Sequence, residues 1–183
     1  MKKTMLLALV VFCCAQVYAA DLKRFHVYTG VKAVVLGSMV LGRETTVSYV
    51  LPDITAEGKN ISYDDIFYGY MTDNRISAVK KIIDSDITFF AGGGVSMASS
   101  AVKSNQLALL INLKSTWGIF YLNAEHLIYK DGLLGDYSLG LDWVIFQGGA
   151  EFGICFDLGA LLSTDYTGAG FYPCADLGIK AGF

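Results

Sequence analysis

The chain is short of charge. Of its 183 residues, 14 are Lys or Arg and 17 are Asp or Glu, so 17% are ionisable at these four types while 54% are apolar; ordinary soluble domains carry about 25% charged residues. That shortage requires an apolar surrounding for much of the surface, and lipid is one. There are only two histidines, His26 and His126, and four cysteines, two of which fall in the first 15 residues. The two remaining thiols make a poor zinc site, so neither metal nor cofactor is expected. No excess of basic residues exists to attract nucleic acid. Beyond the N-terminal stretch no apolar run approaches the ~20 residues a membrane-crossing helix needs, so any crossing must be made by a closed sheet, which satisfies its backbone groups between strands.

The N-terminal stretch has a separate meaning. Lys2 and Lys3 precede a run from Met5 to Ala15 that is apolar apart from two thiols, and Val17-Tyr18-Ala19 puts small residues where a signal peptidase reads them. This predicts a secretory signal over residues 1–19 and a single exported domain over 20–183. Lipid attachment at Cys13 is a weaker alternative, because Phe12 fits poorly before the modified thiol. Without Lys2 and Lys3 the exported part holds 12 Lys and Arg against 17 Asp and Glu, a net charge of −5.

What the rest of the chain has in abundance is period-two alternation. From Cys174 to Phe183, Ala175, Leu177, Ile179, Ala181 and Phe183 share one face, with Cys174, Asp176, Gly178, Lys180 and Gly182 on the other. The same pattern runs through 150–160, 136–145 and 107–114, and through a first strand from Arg24 to Val35; Ile87 to Val102 and Trp117 to Tyr129 also read as strands. Short turns are expected at 114–116 and 147–149, and polar loops at 130–134 and 163–170. Residues 38–85 are less regular, with strand-like stretches at 44–51 and 61–71 and a segment, 74–83, that suits either a strand or a short helix. Six strands after residue 85, one at the start and one between make eight. If both 44–51 and 74–83 are strands, the number is ten.

Alternation alone does not say which face is inside. The apolar face could look inward, as in a secreted barrel that carries a lipid or other apolar ligand. The other face decides it: Gly140, Gly153, Gly159, Gly178 and Gly182 stand there among isolated charges, a poor coat for a wet strand and a good lining for a narrow bore. The apolar face is therefore predicted to point outward, and the inward charges must pair. Parity places Lys32, Lys114 and Lys180 with Asp142, Glu151, Asp157 and Asp176 on the lumen side, and Glu125 beside them. These could form a structural network of ion pairs or line a path for small polar solutes. Cys155 and Cys174 fall on the inward set of neighbouring strands, in position for a disulfide if the turn centres near 164–165. Phe25, Trp117, Trp143 and Phe183 lie near one end, as an aromatic girdle would.

The ending from Asp176 resembles the C-terminal signal of bacterial outer-membrane β-barrels, with Asp176, Gly178, Ala181 and Phe183 at the matching positions. Together with the signal peptide and the alternating strands, the exported chain resembles small outer-membrane barrels of the OmpA, OmpX and OmpW type. The resemblance implies an all-β, closed, antiparallel up-and-down barrel in the outer membrane of a diderm bacterium. It further implies insertion by the barrel assembly machinery, outer-membrane lipid as surroundings, and a structural or surface-exposed role or limited passage of small molecules. Some such barrels are lipid-modifying hydrolases, a reading that would rest on His26 or His126. Neither has a serine two residues beyond it in the manner of the lipid A deacylases, and the expectation is no catalysis. The Gly92-Gly93-Gly94 run lacks the lysine and helix of a phosphate loop.

Overall fold

The computed structural model describes residues 25–35, 38–65, 69–100, 106–147, 150–165 and 168–183; the predicted signal at 1–19 lies outside them. Ten antiparallel strands follow one another in chain order: β1 (Phe25–Val35), β2 (Met39–Val50), β3 (Ile54–Asp65), β4 (Gly69–Ile83), β5 (Thr88–Ser100), β6 (Gln106–Trp117), β7 (Phe120–Tyr129), β8 (Gly132–Gln147), β9 (Glu151–Asp165) and β10 (Gly168–Gly182). Each pairs with its neighbours, and β1 pairs with β10, so the sheet closes into an up-and-down barrel without a free edge. At the seam, the Phe25 amide donates to the Phe183 carbonyl at 3.2 Å and the Phe183 amide to Phe25 at 2.8 Å.

The count is ten, the alternative, rather than eight. The difference lies in the segment before residue 85, where β2, β3 and β4 stand in place of a single strand. Their outward faces are the reason: Arg43, Thr45, Asn60, Ser62, Thr72 and Asn74 interrupt the alternation of apolar with polar that marks β6, β8, β9 and β10.

The register fixes the shape. Starting at Tyr28, successive partners are Thr46, Lys59, Arg75, Ser96, Ala108, Tyr129, Gly132, Asp165 and Gly168. The β1–β10 register, continued, sets Gly168 against position 40, twelve residues on from 28. A shear of twelve over ten strands tilts them by about 40° and gives a backbone cylinder about 20 Å across. Ladder irregularities at Lys81/Ile83 and Val144/Phe146 both sit at the end where the described termini, Phe25 and Phe183, meet, the usual place for bulges on a barrel rim.

Three turns differ from expectation. The loop expected at 130–134 narrows to 130–131, because Gly132, Leu133 and Leu134 pair with Tyr129, Ile128 and Leu127. Lys114, Ser115 and Thr116 continue β6, and the chain reverses at Gly118, the one positive-φ residue among those described (φ 59°). A left-handed residue at the first of two central positions suits the twist of a two-residue hairpin, and Trp117 and Phe120 stack across it at 5.7 Å. The polar stretch 163–170 is mostly strand, since Asp165 pairs with Gly168.

Tyrosines explain much of the lumenal glycine. A methyl group on Gly178 or Gly30 would strike the Tyr28 ring, on Gly140 the Tyr121 ring, on Gly42 the Tyr63 ring, and on Gly170 the Tyr172 ring. Small residues here make floor space for aromatic rings lying flat along the wall. Outside, thirty-five large apolar side chains among the described residues are exposed, from Leu107 at 70% to Leu51 at 39%. This wall is far more apolar than water tolerates on one monomer.

Candidate functional site: a charged layer across the lumen

Inward side chains form three storeys. At the end opposite the termini, Val34, Val40, Ile61, Tyr63 and Cys174 pack together, with Leu161 and Tyr172 against them. Beside that group Ala108, Leu110 and Leu127 form a second, flanked by Tyr129 and Leu134. These apolar groups cap the bore. Beneath them lies a layer of paired charges, and below that a bowl of about 260 Å³ opens toward the termini.

The charged residues of the layer come from six strands. Lys32 of β1 donates to Asp136 of β8 at 2.8 Å, both side chains being at most 6% exposed. Arg75 of β4 lies at the centre: Nε and Nη2 reach Asp73 at 2.8 Å, Nη1 pairs closely with Glu125 of β7, and Nη1 stands 3.7 Å from Asp136. Lys59 of β3 bridges Glu125 at 3.1 Å and Glu44 of β2 at 3.5 Å. Neutral donors complete the shell. Asn112 and Asn123 each approach Glu125 at 3.4 Å, and Ser96 donates to Asp73 at 2.5 Å. Buried ions of this kind are stable only when paired and hydrogen-bonded on several sides, as these are. Asn112 Oδ1 is buried with no hydrogen-bond partner among the described residues.

All eight charged residues expected in the lumen face it, but they form three groups rather than one network. Lys32 and Glu125 belong to the central layer. Nearer the termini, Lys180 holds Asp142 at 2.6 Å and Glu151 at 3.5 Å. Asp157 and Asp176 are register partners on β9 and β10. With no cation paired to them among the described residues, they are held instead by tyrosine hydroxyls: Tyr121 donates to Asp157 at 2.8 Å, and Tyr28 donates to Asp176. Lys114 lies over the Tyr121 ring, 5.3 Å from its centroid.

The central cations and acids missed from sequence, Glu44, Lys59, Asp73 and Arg75, all come from β2, β3 and β4. Their parity could not be read until those strands were placed. Asp136 was missed as well, although it shares the inward set of β8 with Asp142.

The expected disulfide is not made. The β9–β10 connection centres between 166 and 167 instead of 164–165, so Cys155 pairs with Gly178, and Cys174 with Gly159. The thiols stand four residues apart along the ladder, about 13 Å, which no disulfide spans. Both are free, Cys174 within the apolar cap and Cys155 on the bowl wall, 3.7 Å from Asp142.

His126 points outward, its Nε2 2.8 Å from the Tyr137 hydroxyl, with the rings edge to face. His26 is at the bowl mouth. At this rim the outward aromatics gather: Trp117, Phe120, Trp143, Phe146, Phe152 and Phe183 are all exposed.

Fold and lumen together define a class: a closed ten-stranded antiparallel up-and-down β-barrel, greasy outside, ionised within and capped at one end. No helix among the described residues is long and apolar enough to cross a membrane, which says nothing about crossing by strands. No family profile and no curated protein matches the sequence. Among solved structures, the crystal structure of Neisserial surface protein A (NspA) is similar at a TM-score of 0.34 and 12% identity, over 86% of this chain and 95% of that one.

Proposed function

We propose that this protein is an integral outer-membrane barrel with a structural, surface-exposed role, and that its lumen does not conduct. The observation that carries the reading is the inversion of the usual arrangement: the apolar face looks out and the ion pairs look in. Strands of 10–16 residues tilted by about 40° rise about 25–40 Å, enough to span the apolar band of about 25 Å that outer-membrane barrels present to lipid. The aromatic rim around Trp117, Trp143 and Phe183 suits a membrane interface. A secreted carrier of an apolar ligand needs the opposite lining. Export through residues 1–19 and insertion through Asp176, Gly178, Ala181 and Phe183 by the barrel assembly machinery belong to the same proposal.

A solute leaving the bowl would have to part the Lys32–Asp136 and Arg75–Glu125 pairs and then dislodge the apolar cap, which favours a plugged barrel over a pore. The test joins two measurements on protein extracted from membranes. A folded band that shifts on heating in a denaturing gel, together with no stepwise conductance in a planar bilayer, is the expected result. Steady channels of fixed size would overturn the closed lumen, and a chain that stays monomeric and soluble without detergent would overturn the membrane reading.

A further inference from the structure

One part of the outer wall breaks the apolar rule. On β2, β3 and β4 the outward residues of two successive register rows are polar throughout: Thr45, Asn60 and Asn74 in one row, Arg43, Ser62 and Thr72 in the next. Asn60 donates to Asn74 at 2.8 Å, and Thr72 extends the patch to Ser99 of β5 at 2.9 Å. Arg43 is exposed near the middle of its strand, with no ion-pair partner among the described residues. On the opposite wall the outward rows of β8, β9 and β10 carry Leu139, Leu141, Ile154, Phe156, Leu177 and Ile179. In a bilayer an outward arginine is destabilising, most of all near the midplane, and amides without partners add to the cost. Resting on the membrane reading above, this patch needs a polar cover.

We infer that the β2–β4 wall is the interface between two copies of this chain, related by a twofold axis parallel to the barrel axis and passing over β3. The patch is complementary to itself. Asparagine, serine and threonine each both donate and accept, and an isologous contact sets like patch on like patch. The shear supplies the detail. A register row climbs slightly more than one residue per strand, so the residue of β4 level with Arg43 is Asn74 and not its row-mate Thr72. The twofold brings β2 of one copy opposite β4 of the other at equal height. Asn60 then meets Asn60, and each Arg43 meets an Asn74 whose amide oxygen has a lone pair to spare. The two arginines stay about 10 Å apart, two strand spacings, so they do not oppose each other. An anionic lipid could answer Arg43 alone; it leaves the asparagine pair at the centre of the patch unmatched.

The test uses the full chain exported to membranes and extracted into vesicles. Asn60→Cys is expected to cross-link to a dimer under mild oxidant, and Arg43→Cys mixed with Asn74→Cys to give a mixed dimer, whereas Leu139→Cys on the far wall gives neither. In detergent the unmodified chain sediments as a dimer, and replacing Arg43, Asn60 and Asn74 by leucine raises the dissociation constant at least tenfold. Heat-shifted migration of the same samples reports a folded barrel in lipid whether or not copies pair. A folded monomer whose Asn60→Cys form links no better than Leu139→Cys overturns the dimer alone. So does a monomer whose bound phospholipid or lipopolysaccharide is released by Arg43→Leu.

Discussion

Replacing Arg75 by methionine tests the charged layer at its centre. The change keeps most of the side-chain volume and removes a guanidinium that is 4% exposed. Its partners are left unequal. Glu125 keeps Lys59 at 3.1 Å and two asparagine amides, and Asp136 keeps Lys32 at 2.8 Å. Asp73 loses its only cation among the described residues and keeps the Ser96 hydroxyl alone. One carboxylate is thus stranded in the bore, and breaking a buried pair in this way costs about 3–5 kcal/mol, roughly two to four powers of ten in the folding equilibrium. The assay is reversible denaturant unfolding in vesicles, comparing midpoints at constant slope. Combining Arg75→Met with Asp73→Asn removes both charges and should restore stability to within about 1 kcal/mol of the parent, because the penalty comes from the unpaired ion and not from a lost attraction. A loss below about 1 kcal/mol in the single variant, or a double variant no better than the single, refutes this account of the layer.

Gly94→Ala drives a methyl group into the Ile76 carbonyl of β4, whereas Gly58→Ala meets open space. The first should lower the unfolding midpoint sharply, and the second should leave it unchanged or raise it by about 0.5–1 kcal/mol, since alanine loses less chain entropy in a strand. Thiol labelling of the folded barrel should modify Cys155 through the bowl and leave Cys174 protected until unfolding, with identical gel migration with and without reductant; a reductant-dependent shift sinks the register given for β9 and β10. In the turn at 84–87 the hydrogen bond from the Lys81 ammonium, 2.6 Å away, holds the Asp84 carboxyl below the usual aspartate range. Its contribution is therefore complete at neutral pH and is lost as the pH falls below about 4 and through the folded value. Carboxyl-carbon NMR should show a titration midpoint below that of a model aspartate, returning to it in Lys81→Met.

The second half of the barrel was legible because two signals agreed. In β6, β8, β9 and β10 the apolar set, for example Leu107 to Leu113 or Ile154 to Leu158, is unbroken, so its period marks the strand, while the glycines and isolated charges of the other set decide the facing. Between 38 and 85 the outward positions carry Arg43, Thr45, Asn60 and Asn74, so both faces are polar and period two disappears from the hydropathy while the backbone remains extended. The central layer was partly visible for the same reason: Lys32 and Glu125 were placed in the lumen, Asp136 was passed over, and Arg75, Lys59, Asp73 and Glu44 lie on strands whose parity is hidden. Turn positions were harder still. Polar residues at 114–116 and 163–165 look like loop yet lie inside strands, because a rim residue sees water whether or not its backbone is paired. That small error was enough to misplace the cysteines, since a shift of the turn by about two residues moves facing positions by four.

Among the described strands, the clasp between Phe25 and Phe183 joins the only neighbouring pair that is remote in sequence; the other nine contacts are between consecutive strands. Long-range order in this molecule therefore reduces to a single ring-closing event, and every cross-lumen ion pair must wait for the wall to curve round. Geometrically the hoop has no privileged starting point: a permuted chain opened at 130–131, with a few glycines joining Phe183 to Phe25, encodes the same set of hairpins and transfers the ring closure to the β7–β8 joint.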